Sequence, residues 1–202
     1  MTIRSIYLDF GGVIVRTEDQ VPRTRLAERL GMTYRDIEKI IFESESSRRA
    51  STGEISEEEH WQATARTLGV SHPEMTAIGD EFFAGDRVDN ALLGFIQGLR
   101  PERKLGLISN AWSGLRSWIE SKGFAAVFDY MVISAEIGIM KPDARIYHLA
   151  LQELGAVPAE SVFLDDFIEN VEAARAVGMH AIHFTQPEKA LEELKQLLAD
   201  HA

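Results

Sequence analysis

Apolar residues along this chain fall into two rhythms. Five short, nearly continuous runs read as buried strands: Ile6 to Asp9, Leu105 to Ser109, Tyr130 to Ser134, Val162 to Asp165 and Ala181 to Phe184. After most of them the apolar positions recur at helical spacing. The clearest case follows Lys141, where Ile146, Leu149, Ala150 and Leu154 form a stripe and Gly155 is placed to end the helix. Strands alternating with helices predict an α/β fold with a parallel sheet covered on both faces.

The alternation fails between Thr17 and Asp89, where no strand pattern stands out. Arg25 to Leu30 reads as a helix ending at Gly31. Thr33 is placed to cap a helix carrying Ile37, Ile40 and Ile41. Ser56-Glu57-Glu58-Glu59 is a capping box that leads into a helix with Trp61, Ala65 and Leu68, stopping at Gly69. A helical block inserted after the first strand predicts a discontinuous core, residues 1–16 and 89–202, with an all-helical cap at residues 17–88. Extra helices packed on one sheet edge are the alternative. Leu191 to Leu198 reads as a further amphipathic helix, and no internal repeat or low-complexity tract interrupts the pattern.

Composition narrows the partners. With 202 residues, 45% hydrophobic and 26% charged, the chain suits one α/β domain carrying a small inserted module. No apolar run approaches the roughly 20 residues of a membrane span. Met1 to Asp9 reads as a strand rather than a signal peptide. The absence of cysteine excludes disulfides, thiolate metal sites and cysteine nucleophiles, and makes a cytoplasmic location the simple expectation. A net charge of -11 argues against a nucleic-acid partner. A phosphate ester still fits, provided that a metal ion or a few cationic side chains concentrate positive charge locally.

The residues able to do chemistry gather at the ends of the predicted strands, where open parallel sheets form ligand sites. Asp9 ends the first, Ser109 and Asn110 the second, and Asp165 and Asp166 the fourth; Lys141 lies in the loop after the third. An isolated Asp in such a place is commonly a helix cap or turn residue. If the first and fourth strands are neighbours, however, Asp9, Asp165 and Asp166 converge and their repulsion calls for a cation. Oxygen ligands without His or Cys nearby suit Mg²⁺. Gly11 and Gly12 allow a tight turn whose carbonyls and amides can face a metal or phosphate. Ser109-Asn110, ahead of a helix expected near Trp112, offers a phosphate cradle or a plain helix cap. Lys141 precedes Pro142 and Asp143 at a helix start, an end that disfavours cations. Its charge is therefore available to carboxylates and phosphate, unless it is simply a solvated surface lysine.

Weaker features remain. Arg48 and Arg49 read as a loop between cap helices, either facing an anionic substrate or solvated. Trp112 is placed to line a pocket or to pack in the core. The six His residues show no ligand spacing; His60, His148 and His183 read as helix or strand positions.

Four stretches in this order, Tyr7-Leu8-Asp9-Phe10-Gly11-Gly12-Val13, Leu107-Ile108-Ser109-Asn110-Ala111, Met140-Lys141-Pro142-Asp143 and Val162-Phe163-Leu164-Asp165-Asp166-Phe167-Ile168-Glu169-Asn170, resemble the haloacid dehalogenase (HAD) superfamily of hydrolases. The run Ala173-Ala174-Arg175-Ala176-Val177-Gly178-Met179 extends the likeness. It is nearest to the subgroup with a helical cap after the first motif, which includes the phosphatase domain of soluble epoxide hydrolase and bacterial sugar-phosphate phosphatases. The resemblance implies a Rossmann-like parallel five-stranded sheet of order 3-2-1-4-5. It implies that Asp9 attacks phosphorus to form an aspartyl-phosphate. Ser109, Asn110, Lys141 and Gly12 would bind the phosphoryl group, with Ser109 and Lys141 also serving catalysis. Mg²⁺ would be held by Asp9, the Gly11 carbonyl and Asp166, with Asp165 assisting from behind these ligands or through water. The implied partner is a small phosphorylated metabolite, such as a sugar phosphate, met by a monomer or homodimer.

One position departs from the family. Its phosphatases usually carry a second Asp two residues after the nucleophile, which protonates the leaving oxygen; here that position is Gly11. General acid–base catalysis supplies about 10²–10⁴-fold, roughly 3–5.5 kcal/mol of the about 8–23 kcal/mol by which enzymes lower barriers. Its loss slows a phosphatase without removing the activity. Glu43, Glu45, Glu54 or a substrate hydroxyl are candidate substitutes. A metal-independent 2-haloacid dehalogenase tolerates Gly11 but not the Asp165-Asp166 pair, which would raise the nucleophile's pKa without a cation. A catalytically weak phosphate-ligand binding or interaction protein of the same fold is the other alternative.

Overall fold

The computed structural model describes residues 2–201. Strand β1 (Ser5–Leu8) is followed by β2 (Val15–Thr17), then by five helices: α1 (Val21–Arg29), α2 (Tyr34–Phe42), α3 (Glu45–Ser51), α4 (Glu57–Leu68) and α5 (His72–Phe83). The chain continues through β3 (Asp86–Val88), α6 (Asn90–Gly98), β4 (Lys104–Ser109), α7 (Leu115–Ser121), β5 (Tyr130–Ile133) and α8 (Ser134–Ile137). It closes with α9 (Ala144–Leu154), β6 (Ser161–Asp165), α10 (Ile168–Ala176), β7 (His180–His183) and α11 (Pro187–Asp200). Among the described residues no helix is long and apolar enough to cross a membrane.

The main sheet runs β5-β4-β1-β6-β7 and every neighbouring pair is parallel. Counted along the core strands this is the expected order 3-2-1-4-5. Strand side chains alternate between two faces. Ile6, Leu8, Leu105, Leu107, Val162 and Leu164 join Leu92, Ile96 and Ile119 of α6 and α7 and Leu194 of α11 in one cluster. Tyr7, Ile108 and Phe163 join Ile146, Tyr147 and Leu151 of α9 and Val171 of α10 in the other. Both faces are therefore buried, which is why the strands lack polar alternation. Each fully buried Leu, Ile or Phe contributes about 1.5–3 kcal/mol. Gly106 is part of this packing. It pairs with Tyr7, and a Cβ there would lie 2.4 Å from the Tyr7 ring.

The helical block differs from expectation at its ends. Strands β2 and β3 pair antiparallel, Val15 with Val88 and Thr17 with Asp86, where the sequence shows no strand pattern. Three residues rich in charge are too few to display a period of two. The expected boundaries at 16/17 and 88/89 fall on this ribbon. Inside the block, Thr33 and Ser56 cap α2 and α4 with reciprocal Asp36 and Glu59 bonds, and left-handed Gly69 ends α4. Leu26, Ile37, Ile41, Met75, Ile78 and Phe82 form a third cluster of their own. Buried Arg23 ties α1 to the ribbon through a two-pronged bond to Asp86, at 2.8 and 2.9 Å. Helices α5 and α6 stand outside the expected elements. Arg48 and Arg49 lie within α3 rather than in a loop, and α7 begins at Leu115 rather than near Trp112.

Candidate active site

β1 lies between β4 and β6, so its C-terminal end opens between two neighbours. One further backbone bond, Asp9 N–H to Leu164 O at 2.9 Å, keeps Asp9 in line with the end of β6. Its carboxylate is thereby set beside Asp165 and Asp166: one oxygen from each of the three lies within 4.8 Å of the others. The expected convergence of carboxylates follows directly from sheet order.

Lys141 enters this group from the loop before α9. Its ammonium is buried and sits 2.7 Å from Asp9 Oδ1 and 2.6 Å from Asp165 Oδ2. It is not a solvated surface lysine. Asp165 accepts further bonds from Asn170 Nδ2 at 3.0 and 3.1 Å and from Phe167 N–H at 2.8 Å, so its oxygens are engaged by protein donors. Asp9 is held at one oxygen. Phe10 N–H at 2.6 Å and Lys141 both meet Oδ1, and among the described residues no hydrogen bond falls on Oδ2.

Asp166 differs from both. Its Oδ1 is buried and meets no hydrogen-bond donor. Gly12, at φ 75°, lies against the same carboxylate so closely that a Cβ would come within 2.2 Å of Oδ2. Only a residue without a side chain leaves that room. Burial pushes Asp9 up to about 7, with Asp165 and Asp166 adding to the rise and Lys141 opposing it. Burial likewise pushes Asp166 up to about 6, with Asp165 adding to it. A lone buried carboxylate oxygen, two carboxylates whose charge is disfavoured and an all-oxygen donor set fit a hard divalent cation such as Mg²⁺.

Ser109 ends β4 and is buried. Asn110, the next residue, uses both ends of its amide on the Lys141 backbone: Nδ2 donates to Lys141 O at 2.9 Å and Oδ1 accepts from Lys141 N–H at 2.7 Å. Its side chain thus fixes the lysine loop. Gly12 N–H donates to Val15 O at 2.9 Å within its own turn.

Residues 3–178 match the haloacid dehalogenase-like hydrolase family. The chain belongs to that family. A curated relative, D-ribitol-5-phosphate phosphatase of Bacteroides thetaiotaomicron, is 26% identical over 208 residues, covering 96% of this chain and 97% of its own. Several others are much longer. Bifunctional epoxide hydrolase 2 of Rattus norvegicus is 29% identical over 69% of this chain, which spans 27% of that enzyme's length. Among solved structures, a HAD-like hydrolase from Porphyromonas gingivalis superposes with a TM-score of 0.80 at 25% identity, covering 98% of both chains. A HAD-family enzyme from B. thetaiotaomicron, solved with magnesium and inorganic phosphate, shares the fold at a TM-score of 0.73 and 20% identity, covering 89% of this chain and 93% of that one.

This HAD chain departs from the family's phosphatases at Gly11. Its exposed backbone has no positive φ, and nothing lies within 4 Å of where a Cβ would stand. Glu43 pairs with Arg35 at 2.6 Å, Glu54 faces Arg49 and Thr52, and Glu45 is exposed in the first turn of α3. None of the three shares a hydrogen bond with the Asp9 group among the described residues. Three residues of the HAD site escape sequence reasoning. Asn170 braces Asp165, His183 Nε2 donates to Asp166 O at 2.9 Å, and Ser134 Oγ accepts from Ala111 N–H at 3.0 Å. Asn170 lies five residues after Asp165 in the fourth motif stretch, and that spacing is its one visible signal.

Proposed function

We propose that this protein is a magnesium-dependent phosphatase that hydrolyses a small phosphorylated metabolite through an aspartyl-phosphate on Asp9. The observation that carries the reading is the asymmetry of the carboxylates. Asp165 is fully engaged by protein donors, whereas Asp166 Oδ1 is buried without one. Asp9, Asp166 and the Gly11 carbonyl would hold Mg²⁺, with Asp165 behind them. When bound, the ion supplies positive charge to the phosphoryl oxygens and to the crowded carboxylates.

The remaining roles belong to side chains. Lys141 and Phe10 N–H hold Asp9 at Oδ1 and so orient its carboxylate for attack on phosphorus. As the Asp9–phosphorus bond forms, the ester P–O bond breaks and the leaving oxygen takes a proton. Water then cleaves the aspartyl-phosphate, releasing inorganic phosphate. Lys141 and the Ser109 hydroxyl neutralise and bind the phosphoryl oxygens. With Gly11 in place of an acid, the leaving oxygen draws its proton from solvent or from the substrate, which favours anomeric, acyl and aryl phosphates. We read residues 17–88 as a cap over a core of residues 1–16 and 89–202. The D-ribitol-5-phosphate phosphatase relative supports a sugar phosphate as the substrate class, and Gly11 favours its anomeric esters. A cytoplasmic location accords with the cysteine-free chain.

A screen of phosphorylated metabolites with and without Mg²⁺, with Asp9→Asn as control, tests the reading. Turnover should require Mg²⁺ and fall by about 10⁴-fold or more in the variant. Phosphatase activity that survives both EDTA and Asp9→Asn would overturn it. Release of halide from 2-haloacids in EDTA would establish the dehalogenase instead. Among active esters, kcat/KM should fall as leaving-group pKa rises; a flat dependence rejects the part assigned to Gly11.

A further inference from the structure

The loop between β4 and α7 is held at both ends by different parts of the molecule. At its start, Asn110 grips the Lys141 backbone and Ala111 N–H donates to Ser134 Oγ. Two residues later the chain belongs to the helical module. The Trp112 ring lies 4.5 Å from His60, 5.3 Å from Trp61 and 6.0 Å from Phe42, packed against the module's apolar cluster. Trp112 Nε1 donates to Ser47 Oγ at 3.2 Å, and Ser47 donates in turn to Phe42 O at 2.9 Å. Two residues further, Gly114 N–H donates to Glu57 Oε2 at 2.9 Å while the other oxygen of Glu57 accepts from Trp61 Nε1 at 3.3 Å. The fit leaves no room at Gly114, where a Cβ would stand 2.3 Å from that carboxylate.

We propose that Trp112 and Glu57 are positioning residues that hold Lys141 in place through Asn110. The proposal rests on the phosphatase reading for its kinetic consequence, but not for its structural one. The chain of contacts is continuous. Helices α2–α4 seat Trp112 and Glu57, these fix residues 112 and 114, and Asn110 at the near end of the same loop fixes the lysine backbone. The lysine then reaches Asp9 and Asp165. Undocking the module withdraws the indole from its aromatic surroundings and frees the loop, so the charge arrangement at Asp9 is complete only with the module seated. Seating of the module and order at Lys141 are thereby linked through one short loop.

Hydrogen exchange reads the link directly, because three amides report its successive bonds: Gly114 to Glu57, Ala111 to Ser134 Oγ and Lys141 to Asn110 Oδ1. In Trp112→Ala and Glu57→Ala, all three should exchange about tenfold faster or more, while buried β1 amides keep their protection. Glu57→Gln keeps one acceptor for Gly114 N–H but sets an amide donor against Trp61 Nε1, so its exchange should fall between that of Glu57→Ala and wild type. With p-nitrophenyl phosphate, whose leaving group needs no proton, Trp112→Ala and Glu57→Ala should lower kcat about tenfold with KM within about twofold. Faster exchange confined to Gly114, with Lys141 N–H unchanged, would overturn the proposal, as would a rise in KM with kcat intact. If wild type shows no turnover the phosphatase reading falls, and the exchange data still decide the coupling. If Trp112→Ala fails to fold, exchange in the Glu57→Ala and Glu57→Gln pair decides between the same two outcomes.

Discussion

At the carboxyl edge of the sheet, Asp9, Lys141, Asp165 and Asp166 crowd ionisable groups into a buried space. In the helical module, Phe42, His60, Trp61, Phe82, Phe83 and Trp112 make a cluster of ring contacts, with centroids 4.5–6.3 Å apart. The two regions obey different arithmetic. At the sheet edge each group's energy is set by one or two named partners, and removing a partner strands a buried charge. In the module each ring has several neighbours, and losing one leaves the rest in contact. A site built the first way is sensitive to single atoms, and one built the second way supplies steady support.

Replacing Lys141 by Met gives the largest contrast. It leaves Asp9 and Asp165 facing each other with no cation, at a cost of about 3–5 kcal/mol. Urea unfolding should show this loss, partly recovered by added Mg²⁺; an unchanged midpoint would place the pair outside the balance of stability. Gly12→Ala comes next. The added carbon would collide with Asp166 and force a side chain into a left-handed backbone, so Mg²⁺ affinity measured by calorimetry should drop about 10–100-fold.

His60 brings a titratable group into the aromatic region. Burial drives it down to about 4 from its usual 6.5. A His whose folded value is depressed stabilises the fold while neutral. That contribution is present above about pH 6.5 and is lost progressively as pH falls toward about 4. His60→Gln should flatten the loss of thermal stability across that window, and an unaltered slope would exclude the imidazole. The smallest change is Gly11→Asp. The open space there predicts a stability shift within about 0.5 kcal/mol. Turnover of alkyl phosphates should rise while aryl phosphates stay level.

The sheet was legible because strands buried on both faces leave uninterrupted apolar runs. Asp9, Lys141, Asp165 and Asp166 stood out because ionisable residues at the ends of such runs have few structural uses. Other features depend on partners distant in sequence. Asn110 shows a free amide in the sequence and an amide closed on Lys141 in the fold, 31 residues away. Trp112 belongs to a core segment but packs in the helical module, which no local period reveals. α3, with the sequence ESSRRAS, offers too little apolar pattern to separate it from a loop. Strands β2 and β3 are each too short to be seen without the other.

The β2–β3 ribbon also bears on biosynthesis. Because the five-helix block is inserted between β1 and the rest of the sheet, β1 has no strand to pair with until β4, which begins at Lys104, has been made. At ordinary rates of translation of about 5–20 residues per second, that is a wait of roughly 5–20 seconds. During that interval the apolar strand ending in Asp9 has neither of its two neighbouring strands. The buried members of the block's cluster all lie between Leu26 and Phe82, so it can begin to condense on the ribosome before Trp112, which packs against it, has been made. The ribbon then leaves the two severed ends of the core side by side, at the point where the sheet must close.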